Sequence, residues 1–294
     1  MKKLMFAMGV AALCGAVHAI ESANVVGYKS KESPKGKFMI GTVPFETCGG
    51  TLNLNELLSG FTPVEIDWDD PTAFWSTAAQ IQIWNGSSYD NAFYVSNAYF
   101  DDGSEEGLEV EGWCDDQGVL YKNDGIANGG RDYEFTPGGA YWIKNVPDSK
   151  PLNVAGAVKG ADSVSFNCPK GQFMLAGNAF PVDINLNDTQ MTSVDITPVA
   201  IDWDNPTAFW DTATQLQIWN GTSYDNAFYV SNAYFDDGSE EGLEIQGWCD
   251  DQGVLYKNDG IENGGRDFII PAGNGFWVKA TSGECNLIFN NPLK

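Results

Sequence analysis

Histidine is almost absent from this chain, and basic residues are scarce. The only histidine is His18, and 16 Lys and Arg residues stand against 40 Asp and Glu residues, for a formal net charge of −24. A strongly negative protein repels phosphate backbones and anionic membrane surfaces, so we expect no nucleic-acid partner. Long apolar runs are also lacking after the N-terminal segment, whereas a spanning helix needs about 20 apolar residues in a row. We therefore expect no membrane insertion.

The first 19 residues have the pattern of a secretion signal. Lys2 and Lys3 precede an apolar stretch from Leu4 to Val17, and Val17-His18-Ala19 offers small residues at a signal-peptidase site. We predict cleavage after Ala19 and export to the cell surface or the medium, with the periplasm as an alternative. Cleavage would remove the only imidazole, which a Ser-His or Cys-His nucleophile pair or a histidine zinc site requires. The sequence therefore predicts a protein that is not an enzyme.

The rest of the chain is a duplication with a shift of 135 residues. Ile66 to Asp132 matches Ile201 to Asp267 with eight differences in 67 positions, and all ten tryptophans obey the same shift. Each copy has the length of an ordinary domain. We predict a signal peptide at 1–19, a first β-domain at 20–158 and a second at 159–294, with the seam near Lys159.

Local patterns within each copy favour strands. Gln80 to Trp84 alternates polar and apolar residues before the turn signal Asn85-Gly86, and Ala92 to Tyr99 is rich in aromatic and β-branched residues. One short helix is predicted over Thr72 to Ala79, capped by Asp70. The fold class is therefore all-β, with two tandem homologous domains, each a β-sandwich or a partly closed β-barrel with one or two short helices.

Three motifs resemble a secreted bacterial β-domain. Gly36 to Phe45 is similar to its opening strand, G-W-N-L-I-x-x-P, Gln82 to Gly86 to its middle strand, and Pro271 to Lys279 to its closing motif, P-G-x-G-Y/F-W-I. Such tandem domains occur in exported proteins of the Verrucomicrobia and Planctomycetes. The resemblance implies a surface or extracellular module without known catalysis. The acidic segment from Asp101 to Asp116 departs from that pattern.

Five cysteines remain after the predicted cleavage. Cys168 and Cys285 occur only in the second copy, where the first has Ser33 and Lys150. Thiols of exported proteins are usually oxidised to disulfides. Because these two cysteines occur together in one copy only, we predict a Cys168–Cys285 disulfide. The pairing of Cys48, Cys114 and Cys249 stays open.

Acidic residues cluster in one loop of each copy. The candidate metal ligands are Asp101, Asp102, Glu105 and Glu106 and their equivalents Asp236, Asp237, Glu240 and Glu241. Calcium prefers six to eight oxygen ligands, several of them carboxylates, and small residues allow such a turn. Calcium is therefore a candidate cofactor, and the alternative is a solvated acidic loop that aids solubility.

Aromatic side chains make up 13% of the chain and offer a second kind of site. Trp and Tyr rings beside polar turns can stack on sugars, although large aromatics also fill the cores of small β-domains. The sequence places Trp84 and Trp142 in the core. The candidate glycan platform is Trp75, Tyr89 and Trp113 in the first copy and Trp210, Tyr224 and Trp248 in the second.

Two functions from different classes remain open. The first is a surface or matrix protein that assembles with itself or with other envelope proteins, with or without calcium, using an apolar N-terminal strand (Asn24 to Tyr28) for exchange between chains. The second is a bivalent, lectin-like carbohydrate-binding module with one weak site per copy. The sequence favours assembly, because the recognised motifs are framework residues.

Overall fold

In a computed structural model of the chain, the described residues are 26–45, 52–54, 58, 60–99, 111–121, 134–135, 138–158, 160–188, 192–234, 245–257 and 265–294. Their secondary structure is almost entirely β, which confirms the predicted class. The strands of the first copy are β1 (Val26–Ser33), β2 (Phe38–Thr42), β3 (Leu52–Asn53), β4 (Val64–Glu65), β5 (Ala79–Trp84), β6 (Tyr89–Ser96), β7 (Gly112–Cys114), β8 (Glu134–Phe135), β9 (Ala140–Lys144) and β10 (Lys150–Ala157).

Within the described residues, the second copy repeats this order with one further strand. Its strands are β11 (Ser163–Cys168), β12 (Phe173–Gly177), β13 (Ile184–Asn185), β14 (Thr192–Ile196), β15 (Val199–Ala200), β16 (Thr214–Trp219), β17 (Tyr224–Ser231), β18 (Gly247–Cys249), β19 (Ile269–Ile270), β20 (Gly275–Lys279) and β21 (Cys285–Asn290). Each copy also has one single-turn helix, α1 (Phe74–Thr77) and α2 (Phe209–Thr212).

The main sheet of each copy has six strands. Its order is β2-β9-β5-β6-β4 in the first copy and β12-β20-β16-β17-β15 in the second, with β7 and β18 paired to β6 and β17. Two smaller sheets accompany each main sheet, β1-β10 and β3-β8 in the first copy and β11-β21-β14 and β13-β19 in the second. Every sheet of the described residues takes its strands from one copy, and none of them closes on itself, as expected of stacked sheets rather than a barrel.

The single-turn helix is shorter than predicted. It covers Phe74–Thr77, its N-cap residue is Ala73, and no side chain caps it. The carboxylate of Asp70 instead accepts a hydrogen bond from the hydroxyl of Thr72 at 3.3 Å. Ala79, predicted to be helical, begins β5, because alternation from Ala79 onward pairs this segment with β6 and β9.

The N-terminal strand is paired within the chain. β1 forms an antiparallel ladder with β10 over eight residue pairs, from Val26 opposite Ala157 to Ser33 opposite Lys150. The exchange of this strand between chains would therefore first have to break that ladder. Asn24 and Val25, the start of the segment predicted to exchange, lie outside the described residues.

The strands separate apolar and mixed faces by simple alternation. In β5, Ile81 points into the core of the first copy, whereas Gln80 and Gln82 share the opposite face of the sheet. In β9, Tyr141 and Ile143 lie in that same core. The second copy builds an equivalent core around Leu216, Phe276, Val278 and Trp248. Each main sheet is thus left with an outer face that carries glutamines and aromatic rings.

Candidate functional site

The outer faces of the two main sheets meet along a seam. Two isolated antiparallel bridges join the copies, Gly41 with Asn274 and Gly139 with Ala176, and these pairs are equivalent under the 135-residue shift. The amide of Gly177 also donates to the carbonyl of Gly138 at 2.8 Å. A pseudo-twofold axis therefore relates the two copies across this seam.

Close approach at the seam depends on small residues. A Cβ atom on Gly177 would overlap the side chain of Thr42, its own repeat equivalent. A Cβ atom on Gly275 would overlap Ile40 and lie 2.9 Å from the Cβ atom of Ala140, the repeat equivalent of Gly275. At both places one copy has a side chain and the other has a glycine. The two surfaces fit together because the copies differ at these positions.

Four tryptophans fill the seam beside these contacts. The ring centroids of Trp84 and Trp277 are 5.6 Å apart, and those of Trp142 and Trp219 are 5.9 Å apart, again as symmetry equivalents. The indole N–H of Trp84 donates to the carbonyl of Phe173, and that of Trp219 to the carbonyl of Phe38, each at 3.2 Å. Ring packing and hydrogen bonds therefore fix the indoles in place across the two copies.

An open aromatic groove of about 270 Å³ lies at this seam, and Trp84 and Trp277 form part of its lining. Both copies contribute to it, and we call it the seam groove; its lining is Trp84, Tyr89, Phe173, Gln217, Tyr224 and Trp277. Tyr89 and Tyr224 are each 37% exposed and Phe173 is 45% exposed, although large aromatic rings usually bury most of their surface. Trp84 contacts Tyr89 edge-to-face at a centroid distance of 5.2 Å.

Polar groups in the seam groove are neutral. Burial raises the pKa of Tyr89 and of Tyr224, and the nearby Tyr89 raises the pKa of Tyr224 further. Both phenols therefore keep their protons at neutral pH and can donate hydrogen bonds. Gln217 donates to Gln215 at 3.3 Å, and its own carbonyl oxygen accepts no hydrogen bond among the described residues.

The predicted glycan platform divides into three groups. Tyr89 and Tyr224 were assigned to separate sites, but the structure brings them together in one groove. Trp75 and Trp210 are exposed by 44% and 38%, one on each copy, and their indoles donate to the carbonyls of Asp116 and Asp251. Neither of these two tryptophans lines the seam groove.

For the third group, Trp113 and Trp248, the prediction of a glycan platform is wrong. They are 0% and 1% exposed, so no face of either ring is free to stack on a sugar. Trp113 lies on β7 against Phe61 and Tyr94, with centroid distances of 5.4 and 5.3 Å. The polar residues that follow in sequence suggested exposure, but the pairing of β7 with β6 turns this ring into the core.

The eight predicted calcium ligands all lie outside the described residues: Asp101, Asp102, Glu105, Glu106, Asp236, Asp237, Glu240 and Glu241. Within the described ranges, no three acidic, histidine or cysteine side chains form a group that could hold a metal. Asp115 shapes a turn, since its carboxylate accepts hydrogen bonds from the amides of Gln117 and Val119. The guanidinium of Arg266 donates a hydrogen bond to the hydroxyl of Tyr256 at 3.4 Å.

The structure places Cys168 and Cys285 directly opposite each other in the β11–β21 ladder, both as buried free thiols. Opposed residues of antiparallel strands have Cα atoms about 4.5–5.5 Å apart, within the range that a disulfide bridges. The two cysteines are therefore placed as the predicted disulfide requires, but the structure has them as free thiols. Cys114 and Cys249 are buried thiols in separate clusters, and Cys48 lies outside the described residues.

We expect Cys168 and Cys285 to link during oxidative folding and to oxidise slowly once the reduced chain has folded. Burial, and then the neighbouring Cys168, raise the pKa of Cys285 to about 12, so few reactive thiolates form in the folded state. Non-reducing peptide mapping of chains oxidised before and after folding measures this. The linked chain should unfold with an added free energy of about 2 kcal/mol. Fast linking of the folded chain, or a link to another cysteine, would contradict the prediction.

Sequence reasoning missed four of the six groove residues. Trp84 was assigned to the core, Trp277 is the equivalent of Trp142, which was also assigned there, and Phe173 and Gln217 were not singled out. The alternation of β5 carried the signal, because Trp84 shares a face with Gln80 and Gln82 rather than with Ile81. The sequence places Trp84 in the core of its own copy, but this face of the sheet packs against the second copy.

Comparison of this chain with protein-family models, with curated proteins and with solved structures finds no match. The resemblance to a secreted bacterial β-domain therefore stays a prediction from the motifs. Of the helices that the structure describes, none has the length and apolar character needed to cross a bilayer.

Proposed function

We propose that this protein is an exported, non-catalytic carbohydrate-binding protein whose two copies form one shared binding groove. The observation that carries the proposal is the seam groove, in which Tyr89 of the first copy and Tyr224 of the second line the same cavity. The bivalent arrangement considered from the sequence thus becomes a single composite site. Each copy alone supplies only part of its lining.

The chemistry of the seam groove favours a neutral oligosaccharide. Ligand sites combine mostly apolar and aromatic walls with a few polar groups that fix orientation, and here these groups are two phenols and an amide. A pyranose has apolar C–H faces for the rings and hydroxyls for the polar groups. The net charge of −24 disfavours polyanionic glycans, because the field of the whole chain repels them.

Binding without turnover fits the composition of the groove. Glycoside hydrolysis generally uses a pair of carboxylic acids on either side of the scissile bond. None of the six residues that line the seam groove is an aspartate or a glutamate. The fixed indoles also favour binding, because side chains that are already held in place lose little entropy when a ligand arrives.

The proposal is tested by glycan-array screening, followed by calorimetric titration with the best neutral oligosaccharide. We expect one site per chain, and we expect Tyr224→Ala to weaken binding by about tenfold, the loss of roughly 1.4 kcal/mol of contact. Tyr89→Ala should weaken it similarly, because both rings line the same cavity.

Trp75→Ala and Trp210→Ala are the matched controls, since both remove exposed rings that lie outside the groove. They should leave the affinity unchanged. Two sites per chain that are lost with these tryptophans would restore the bivalent model. The absence of any glycan hit would refute the proposal.

Assembly is the second candidate, and Trp75 and Trp210 are the observation that favours it. Each copy presents one rigidly held, exposed indole at an equivalent position, as self-association through repeated contacts requires. Light scattering of the exported chain with and without calcium tests this candidate. Growth in particle size that the Trp75→Ala/Trp210→Ala variant abolishes would favour assembly over glycan binding.

A further inference from the structure

The rings that line the seam groove stand at steep angles to one another. Trp277 lies at 76° to Trp84, with the centroids 5.6 Å apart, and at 86° to Phe173, with the centroids 6.3 Å apart. Tyr89 lies at 65° to Trp84 and at 87° to Trp277. Rings arranged in this way do not form one flat stack. They surround the space between them from several directions, as the walls of an aromatic cage do.

The faces of these rings attract positive charge. An aromatic face carries partial negative charge and binds a cation that lies within about 6 Å of the ring centroid. The chain already uses this contact beside the groove, because the ammonium of Lys279 lies 5.8 Å from the centroid of Phe173. The repeat equivalents show the same pair, with the ammonium of Lys144 5.1 Å from the centroid of Phe38.

The charges around the seam groove favour a positive ligand as well. The chain has a formal net charge of −24, and a field of that sign raises the local concentration of cations. Asp90 and Asp225 directly follow the two groove tyrosines in sequence, and their carboxylates accept hydrogen bonds from the amides of Asn85 and Asn220 at 3.4 and 3.5 Å. Neither carboxylate lines the groove itself.

The polar groups of the groove restrict the kind of cation. Calcium requires six to eight oxygen ligands, and a primary ammonium group is strongly hydrated and needs hydrogen-bond acceptors. The lining of the groove offers only two phenols and one amide. A quaternary ammonium group has no N–H bonds and presents its charge through methyl groups, so it can exchange water for ring faces without needing acceptors.

We propose that the seam groove also binds a quaternary ammonium group, which enters between the indoles of Trp84 and Trp277 and the two tyrosine rings. A groove of about 270 Å³ has room for a trimethylammonium group and the first atoms attached to it. The proposal does not depend on glycan binding. A glycan and a quaternary ammonium ligand would compete for the same rings.

Choline and 3,3-dimethylbutan-1-ol are the probes that test this site. They have the same shape, but the quaternary nitrogen of choline is a neutral carbon in the alcohol. Ring faces shield nearby protons, so titration with the full chain should move the methyl resonance of bound choline upfield in a saturable way. We expect choline to bind about fivefold more tightly than the alcohol, because only choline gains the cation–π contact. Added sodium chloride should weaken the binding of choline and leave that of the alcohol unchanged, since salt screens the attraction of the negative chain.

Four variants complete the test. Tyr224→Leu removes one wall and should weaken choline binding, whereas the matched control Trp75→Ala lies outside the groove and should not. The double variant Tyr89→Phe/Tyr224→Phe keeps both rings and should keep choline affinity to within about twofold, but it should weaken a glycan that is held by the phenol hydroxyls. Lys279→Met removes a positive charge beside Phe173 and should strengthen choline binding.

Equal affinity for the two probes, or a choline shift that Tyr224→Leu leaves unchanged, would overturn the proposal. Weaker choline binding by the Lys279→Met chain would also contradict it. The glycan proposal is judged separately by the array. Choline binding without any glycan hit would refute glycan binding and support this inference, and glycan binding without a choline shift would do the reverse.

Discussion

Replacement of Gly177 by threonine is expected to lower the free energy of unfolding by about 3 kcal/mol, at the upper end of what overpacking usually costs. The new side chain would overlap Thr42 directly across the seam. Neither strand can shift easily to relieve the overlap, because each is hydrogen-bonded to a neighbouring strand of its own copy, β2 to β9 and β12 to β20. Denaturant unfolding followed by tryptophan fluorescence measures the loss.

The swapped variant, Thr42→Gly with Gly177→Thr, is the matched control. Because residues 42 and 177 are repeat equivalents across a pseudo-twofold axis, the swap moves the single side chain to the other side of the same contact. We expect it to recover stability to within about 1 kcal/mol of the native chain, a non-additive result of the kind that contacting residues give. A double variant as unstable as Gly177→Thr alone would show that the seam is not the cause.

The same pair of variants also tests the shared groove. If both copies are needed for glycan binding, Gly177→Thr should lose affinity and the swapped chain should regain it. A bivalent protein with one complete site per copy would keep its affinity in both.

Replacement of Trp113 by alanine is expected to cost about 3–5 kcal/mol, as is usual when a large buried aromatic ring is removed. Trp113 is fully buried, packs on Phe61 and Tyr94, and satisfies the carbonyl of Leu58. Thermal and denaturant unfolding of the variant measure the effect. Trp75→Ala is the control and should change stability by less than about 1 kcal/mol, because that ring is 44% exposed.

A small effect of Trp113→Ala on stability, combined with a loss of glycan binding, would instead support the platform role predicted from the sequence.

The Trp→Phe substitutions at positions 113 and 248 distinguish the two buried indoles further. Trp113→Phe leaves the buried carbonyl of Leu58 without its donor, whereas Trp248→Phe removes a donor that has no partner in the part of the chain that the structure describes. The first should therefore be the more destabilising of the two.

The duplication, the all-β class and the approximate positions of the central strands could all be predicted from the sequence alone. These follow from local information: identity at a shift of 135 residues, period-two alternation in Gln80 to Trp84, and turn residues such as Asn85, whose side chain accepts hydrogen bonds from the amides of Ser87 and Ser88. The placement of Cys168 opposite Cys285 could also be predicted, because both residues occur in the second copy only.

Which aromatic rings are exposed, and which of them contact each other between the copies, depends on the tertiary structure. Trp113 and Trp84 both lie on strands beside polar residues, yet one is buried inside a copy and the other lies at the seam between copies. The difference depends on which sheet faces which, and that depends on contacts far apart in the chain, such as Thr42 against Gly177. Two nearly identical copies can pack this closely because they differ at the few positions where a second side chain would collide.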